Sequence, residues 1–208
     1  MAIQVVSASP KGGGGKSAVI RLAAEWCLHK GLTLRVVDTD ENQDLRDWIH
    51  YCAKKGRVIE EADDPDVILI DTEGTSDASV PFLEDADLVL TPFKSNLADV
   101  KKLIRWYKGL GDETRAKMFL IPNMIRLPSP TRNNVAMVNQ VKGMLGVFEL
   151  SDHMLPGLCH REHVYPAMEG GTAENFFSRK PPSPSFAKAQ TEARQLFEPI
   201  DHLFRSDP

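Results

Sequence analysis

The chain of 208 residues is 42% apolar and 26% charged, the size and make-up of one soluble globular domain spanning residues 1–208. Its formal net charge of −4 excludes a molecule that attracts polyanions as a whole, so nucleic-acid contact requires a local basic patch. Cys27, Cys52 and Cys159 form no C-x-x-C pair, which argues against an iron–sulfur centre, and no signal peptide, lipidation motif or long apolar run is present, so the expectation is a cytoplasmic protein.

The apolar run Ile3 to Ala8 reads as a buried strand. Ala18 to Lys30 reads as a helix with Ile20, Leu22, Ala23, Trp26, Cys27 and Leu28 at helical spacing, closed by Gly31. Between them lies Ser9-Pro10-Lys11-Gly12-Gly13-Gly14-Gly15-Lys16-Ser17. Strand, glycine loop and helix together are the context a phosphate-binding loop requires. Glycines let successive backbone N–H groups wrap an anion, and the helix start points its positive dipole end at it. In such a loop Lys16 reaches the β- and γ-phosphates and Ser17 offers a hydroxyl to Mg²⁺.

Leu32 to Val37 reads as a second strand ending in Asp38-Thr39-Asp40. Carboxylates at the carboxyl end of a parallel strand beside a phosphate loop suit metal and water chemistry. For Asp38 a turn or helix-capping role is equally compatible. Asn42 to Lys55 is a polar helix with Leu45, Trp48, Ile49 and Cys52 on one face, ended by Gly56, and Glu60 to Asp66 is a surface connection. Val67-Ile68-Leu69-Ile70 is continuous enough for a central strand covered on both faces, and it delivers Asp71-Thr72-Glu73-Gly74.

Leu88-Val89-Leu90 reads as a fourth strand with Thr91-Pro92 as its exit. Asn96 to Leu110 follows as a helix whose Lys101, Lys102, Arg105 and Lys108 are the densest basic cluster in the chain. A solvated face is slightly favoured for it over DNA contact. Met118 to Ile121 reads as a fifth strand ending at Pro122-Asn123, Leu127 to Pro130 as an exposed connection, and Val135 to Leu145 as a helix. Phe148 to Leu150 and Met154 to Pro156 look like short strands. His160 and His163 are spaced i and i+3 on a possible helix, but no third ligand stands nearby. The last helix, Phe186 to Phe204, has Glu198, Pro199 and Asp201 among its apolar residues and Asp207 beyond it. It reads as docked on the core, not as a membrane tail. This alternation implies an α/β fold, a doubly wound, mostly parallel sheet with helices on both faces and the ligand at its carboxyl edge.

The segment Lys11 to Ser17 resembles the deviant Walker A motif K-G-G-x-G-K-[ST] of the ParA/MinD family of P-loop ATPases. Asp38, Asp40 and Trp48 fall in register with the D-x-D-P-Q segment and following tryptophan of short, ParF-like ParA proteins. Glu41 and Asn42 replace the proline and glutamine, a pairing similar to the T-DNA border-associated relatives. The resemblance implies ATP and Mg²⁺ as cofactors. Lys11, Gly12, Gly13, Gly14, Gly15, Lys16, Ser17 and Ala18 would hold the nucleotide, with Asn123 on adenine and with Ser17, Asp40 and Asp71 at the metal. Lys11, Lys16 and Asp40 would serve hydrolysis, Asp40 by orienting or activating the attacking water. Lys11 would cross a dimer interface to the facing nucleotide, Gly74 would respond to the γ-phosphate, and Arg161 would lie near the nucleotide or the dimer seam.

The function so implied is an ATP-dependent dimerisation switch. The homodimer would bind DNA without sequence preference, associate with the nucleoid and not with membrane, and hydrolyse ATP slowly. A small centromere-binding or cargo-adaptor protein would stimulate it, segregating plasmid DNA or positioning another cargo. Two alternatives stand beside it. One is a P-loop enzyme transferring phosphate to a metabolite, for which no acceptor pocket is identified. The other is a MinD-like membrane-positioning ATPase, against which the acidic tail counts.

Overall fold

The strand that carries the glycine loop, β1 (Ile3–Ser7), lies at the centre of the sheet. The computed structural model describes residues 1–40, 43–73, 76–126, 135–161 and 163–205. Five parallel strands run in the order β2-β3-β1-β4-β5, with β2 at Leu34–Asp38, β3 at Val67–Asp71, β4 at Leu88–Lys94 and β5 at Met118–Asn123. The chain winds to one side of β1 through β2 and β3 and then to the other through β4 and β5. The loop after β1 therefore opens at the point where the winding reverses, the usual ligand crevice of such sheets.

Side-chain alternation sends neighbouring strand residues to opposite faces. Val5, Leu69 and Leu88 enter one apolar cluster, and Val6, Ile70 and Val89 the other. The first cluster is covered by α1 (Lys16–His29), α2 (Asp44–Lys54), α7 (Tyr165–Glu169) and α8 (Pro184–Phe197). On the second face are α3 (Ser76–Asp85), α4 (Leu97–Lys108) and α6 (Val135–Gly146). α5 (Asp112–Ala116) is a single short turn before β5. The doubly wound parallel architecture expected from the sequence is the one observed. Gly31 and Gly56 close α1 and α2 as expected, each with the next residue's N–H reaching back to a carbonyl five positions earlier.

Several elements differ from the sequence reading. β4 runs through Thr91 and Pro92 to Lys94, because past Leu90 it is paired only with β5 and Pro92 leaves no bond to β1 unmade. α3 was not evident, since Pro81 lies inside it, and α5 is too short to carry a periodic signal. Phe148 to Leu150 is not a strand. Glu149 takes a φ of 60° and the N–H groups of Phe148 and Leu150 return to the Leu145 carbonyl, closing α6. Met154 contributes only an isolated bridge to Leu120 along the edge of β5. The last helix ends at Phe197 and continues as a tight 3₁₀ segment, Glu198–Phe204, because Pro199 cannot sustain the α-helical hydrogen-bond ladder. That segment packs on the core as expected: Phe204 is fully buried and the Trp26 indole donates to Asp201 at 2.8 Å.

His160 and His163 do not share a helical turn, since α7 begins only at Tyr165 with Pro166 in its first turn. Among the described residues no cluster of three His, Cys, Asp or Glu side chains could hold a metal, and no helix is long and apolar enough to cross a membrane. Glu41, Asn42, Gly74 and the connection 127–130 lie outside the described residues.

Candidate functional site

The loop between β1 and α1 is shaped by close approaches that only glycine tolerates. A Cβ on Gly14 would stand 2.9 Å from the Pro92 carbonyl oxygen. One on Gly15, whose φ is +98°, would stand 2.0 Å from the Asn123 amide nitrogen. Asn123, at the end of β5, uses that amide as a brace: Nδ2 donates to the Gly14 carbonyl at 2.9 Å and Oδ1 accepts from the Met124 N–H at 2.8 Å. Gly15 leads into α1 with no side chain capping the helix start and no acid in its first turn. The first N–H groups therefore remain open to an anion. Lys16 is only 7% exposed and forms no ion pair among the described residues, the Asp71 carboxylate being an opposite charge that it feels across the site.

Opposite this loop the strand ends line up. Ser7, Asp71 and Asp38 are cross-strand neighbours at the carboxyl ends of β1, β3 and β2. Threonine hydroxyls lace these ends together: Thr72 donates to the Ser7 carbonyl at 2.8 Å and Thr39 to the Asp71 carbonyl at 3.0 Å. The two carboxylates have different duties. Asp38 accepts the Leu45 and Arg46 N–H groups at the start of α2, at 2.9 and 3.4 Å, and the Asp40 N–H at 3.2 Å. It acts as the capping group that the sequence left open.

Asp71 is fully buried, and among the described residues neither of its carboxylate oxygens is hydrogen-bonded with proper geometry. Burial pushes its carboxyl up to about 7; the Ser17 hydroxyl opposes the rise, the Asp38 charge adds to it, and Lys16 and Arg21 weigh against it. Two unsatisfied buried oxygens beside the Ser17 hydroxyl are the donor set that would hold a Mg²⁺ by few protein groups, the rest of its shell being left to waters and phosphate. Asp40 is half-buried, and its carbonyl accepts the Gln43 N–H at 3.0 Å.

Arg21 belongs to this site although the sequence gave no sign of it beyond a charge on an apolar helix. It is 4% exposed, and its Nε donates to the Ser17 carbonyl at 3.1 Å. Its side chain is pulled toward neutrality by burial and held charged by Glu169, Asp44, Asp71 and Asp38.

Lys11 is half-exposed and folds back within its own chain. Its Nζ lies 3.0 Å from Asp99 on the first turn of α4. Asp99 resists burial through hydrogen bonds from Asn96 and Lys11 and the nearby Lys94 charge, which hold its carboxyl below the ordinary range. Lys94 and Lys102 border the same cleft.

On the far side of the loop, Ala18, Asn123, Met124, Leu158, Arg161 and Tyr165 line a cavity of about 120 Å³. The Tyr165 hydroxyl is buried and has no hydrogen-bond partner among the described residues. Arg161 borders the cavity, but its guanidinium is committed to Glu192 of α8 through bonds of 2.5 and 3.1 Å. The structure thus gathers Gly12 to Ala18, Asp71 and Asn123 around one crevice and sets Lys11 at its outer wall.

No protein-family profile matches the chain. A curated relative, Protein ParA of Rhizobium radiobacter, is 31% identical over 111 residues, a match covering 46% of this chain and half of that protein's length. Among solved structures, a putative plasmid partition protein from Borrelia burgdorferi B31 bound to AMPPNP superposes with a TM-score of 0.66 at 15% identity, covering 97% of this chain and 99% of the other. The pNOB8 ParA structure bound to nonspecific DNA gives 0.58 at 12% identity, covering 97% and 99%. The fold of this chain is that of the ParA/MinD-type P-loop ATPases.

Proposed function

We propose that this chain, with the ParA/MinD fold and the lysine-led glycine loop, is an ATPase whose ATP-bound form pairs with a second copy, binds DNA without sequence preference and moves plasmid DNA or another cargo. The observation that carries the reading is the crevice at Lys11–Ser17. There a lysine with no ion pair among the described residues faces a buried carboxylate that has no well-formed hydrogen bond among them, across an uncapped helix start. Such a site sets opposite charges toward one crevice, and a nucleoside triphosphate with Mg²⁺ meets both.

In this reading Lys16 and the N–H groups of Gly12 to Ser17 hold the phosphates, and Asp71 and Ser17 hold Mg²⁺, with Asp40 close by. Bound Mg²⁺ supplies neutralisation of charge on the phosphoryl oxygens. Asp40 orients the water, a role its place beside Asp38 at the strand ends supports. Arg21 fixes the Ser17 carbonyl and so the first turn of α1. Asn123 and the adjoining cavity receive the adenine. Lys11 leaves Asp99 and neutralises phosphate charge across the seam, which ties pairing to the nucleotide. A small centromere-binding or adaptor protein accelerates an otherwise slow hydrolysis, and DNA binding places the protein on the nucleoid.

Sedimentation with ADP and with a non-hydrolysable ATP analogue, each with and without duplex DNA, tests the reading. The expected result is a dimer, and co-sedimentation with DNA, only with the ATP analogue. A monomer that ignores DNA in every condition overturns it.

A further inference from the structure

The outer face of α4 carries a run of charge that the site does not use. Lys101, Arg105 and Lys108 fall at i, i+4 and i+7, one stripe of a helix, and Lys102 flanks it. All four are exposed. The opposite side of the helix, Val100, Leu103, Ile104 and Tyr107, is buried in the second core cluster. Many exposed cations elsewhere are matched: Lys30 by Asp201, Arg46 by Glu61 and Arg205 by Asp201. On α4, Lys101, Lys102 and Arg105 have no ion-pair or hydrogen-bond partner among the described residues. Lys108 lies 5.1 Å over the Phe148 ring. The one acid of the helix, Asp99, is 8% exposed and bound to Lys11 and Asn96. Like charges one turn apart repel at some cost to the helix, a cost that a bound polyanion reverses.

We infer that this face of α4 is the surface that holds DNA, with Lys101, Arg105 and Lys108 on the phosphates of one strand. The assignment rests on the DNA-binding reading above. At 1.5 Å per residue the stripe is about 10 Å long, the length of duplex axis over which one strand presents roughly three phosphates, at about 3.4 Å of axis each. A chain of net charge −4 attracts polyanions only through such a local concentration of cations. Because the apolar side of α4 is committed to the core and Leu97 is the one large apolar side chain that the helix exposes, the face offers charge with little apolar surface to insert into lipid, which favours a nucleic-acid backbone over a membrane. Asp99 and Lys102 also border the cleft that holds Lys11 and Gly12. The stripe therefore starts at the wall of the phosphate loop, and pairing of two chains doubles the number of phosphates reached.

The test measures binding of a random-sequence duplex by fluorescence anisotropy across a KCl series, with the ATP analogue present. It compares the parent chain, Lys101→Ala/Arg105→Ala/Lys108→Ala, the single Arg105→Glu, and a charge-matched control, Lys54→Ala/Lys180→Ala/Arg205→Ala. The expected result is at least about tenfold weaker binding for the triple variant. Its slope of log affinity against log salt becomes shallower by roughly 2 to 3 per protomer. Arg105→Glu weakens binding, the control does not, and nucleotide-dependent pairing is unchanged in all. Unaltered affinity and slope in the triple variant overturn the surface assignment alone. A parent that pairs with ATP yet binds no DNA overturns the DNA reading with it. Binding only to vesicles of anionic lipid, lost in the triple variant, overturns it in favour of a membrane.

Discussion

The ammonium of Lys11 and the carboxylate of Asp99 meet at 3.0 Å within one chain, so the loop lysine already has an anion before any second subunit arrives. In the proposed dimer, Lys11 would exchange this contact for a phosphate. The lysine side chain is 51% exposed, which places the contact among weak, screened pairs worth about 0.2–1 kcal/mol. Asp99→Asn is therefore expected to tighten the ATP-analogue dimer by up to about fivefold per protomer, roughly 25-fold for the pair, while Lys11→Ala abolishes it. Light scattering across a dilution series reads both, and an Asp99→Asn dimer weaker than the parent's would show that the contact assists pairing.

Asp71 gives the nucleotide-free protein a pH dependence of known sign. Its carboxyl is pushed up to about 7 when folded, against about 4 in an unfolded chain, so the folded state retains a proton between those values. Stability falls as pH rises from about 4 to about 7, and above that range the whole penalty is present. Asp71→Asn removes it. The thermal midpoint of this variant should exceed the parent's near pH 8 and converge with it near pH 4, and Mg²⁺-ATP should no longer stabilise it. Parallel melting curves for the two proteins across that range would refute the account.

Glu25 on α1 is fully buried and receives both terminal nitrogens of Arg57, at 2.7 and 2.9 Å, and the Phe176 N–H at 2.9 Å. Glu25→Ala strands a buried guanidinium and an amide together, at an expected cost of about 3–5 kcal/mol. Urea denaturation measures it. Replacing both partners, as Glu25→Leu/Arg57→Leu, should recover part of the loss.

Asn123→Ala removes the brace from Gly14 and leaves the Met124 N–H unmet. Nucleotide affinity should fall about tenfold or more, with a stability loss of roughly 1–3 kcal/mol. Titration calorimetry and thermal melting separate the two effects. Tyr165→Phe, which deletes a hydroxyl that has no partner among the described residues, should leave the nucleotide-free protein as stable as the parent or more so.

Features written in consecutive residues were legible in the sequence. The loop from Lys11 to Ser17, the acidic strand ends and the closing glycines at Gly31 and Gly56 announce themselves because turn chemistry is local. What sequence reading missed joins distant positions. Lys11 and Asp99 are 88 residues apart and Asn123 reaches Gly14 across 109, and no periodicity records such pairings. Arg21 was missed because a lone cation on an amphipathic helix is ordinarily solvated, and only folding brings Asp38, Asp44 and Asp71 around it. The boundaries at Pro92 and Pro199 misled for opposite reasons. One proline falls where a strand has no neighbour to disappoint, and the other forces a helix into a tighter turn.

The threonine stitches across the strand ends confine where the molecule can respond to a ligand. Thr72 fastens β3 to β1 and Thr39 fastens β2 to β3, so the roots of three loops form a single sewn hem. Motion on ligand arrival falls to what hangs beyond that hem. In hydrogen exchange the amides of Thr39 and Thr72, both bonded across the seam, should be among the slowest at this edge of the sheet, and replacing both threonines with valine should let the three loops loosen independently.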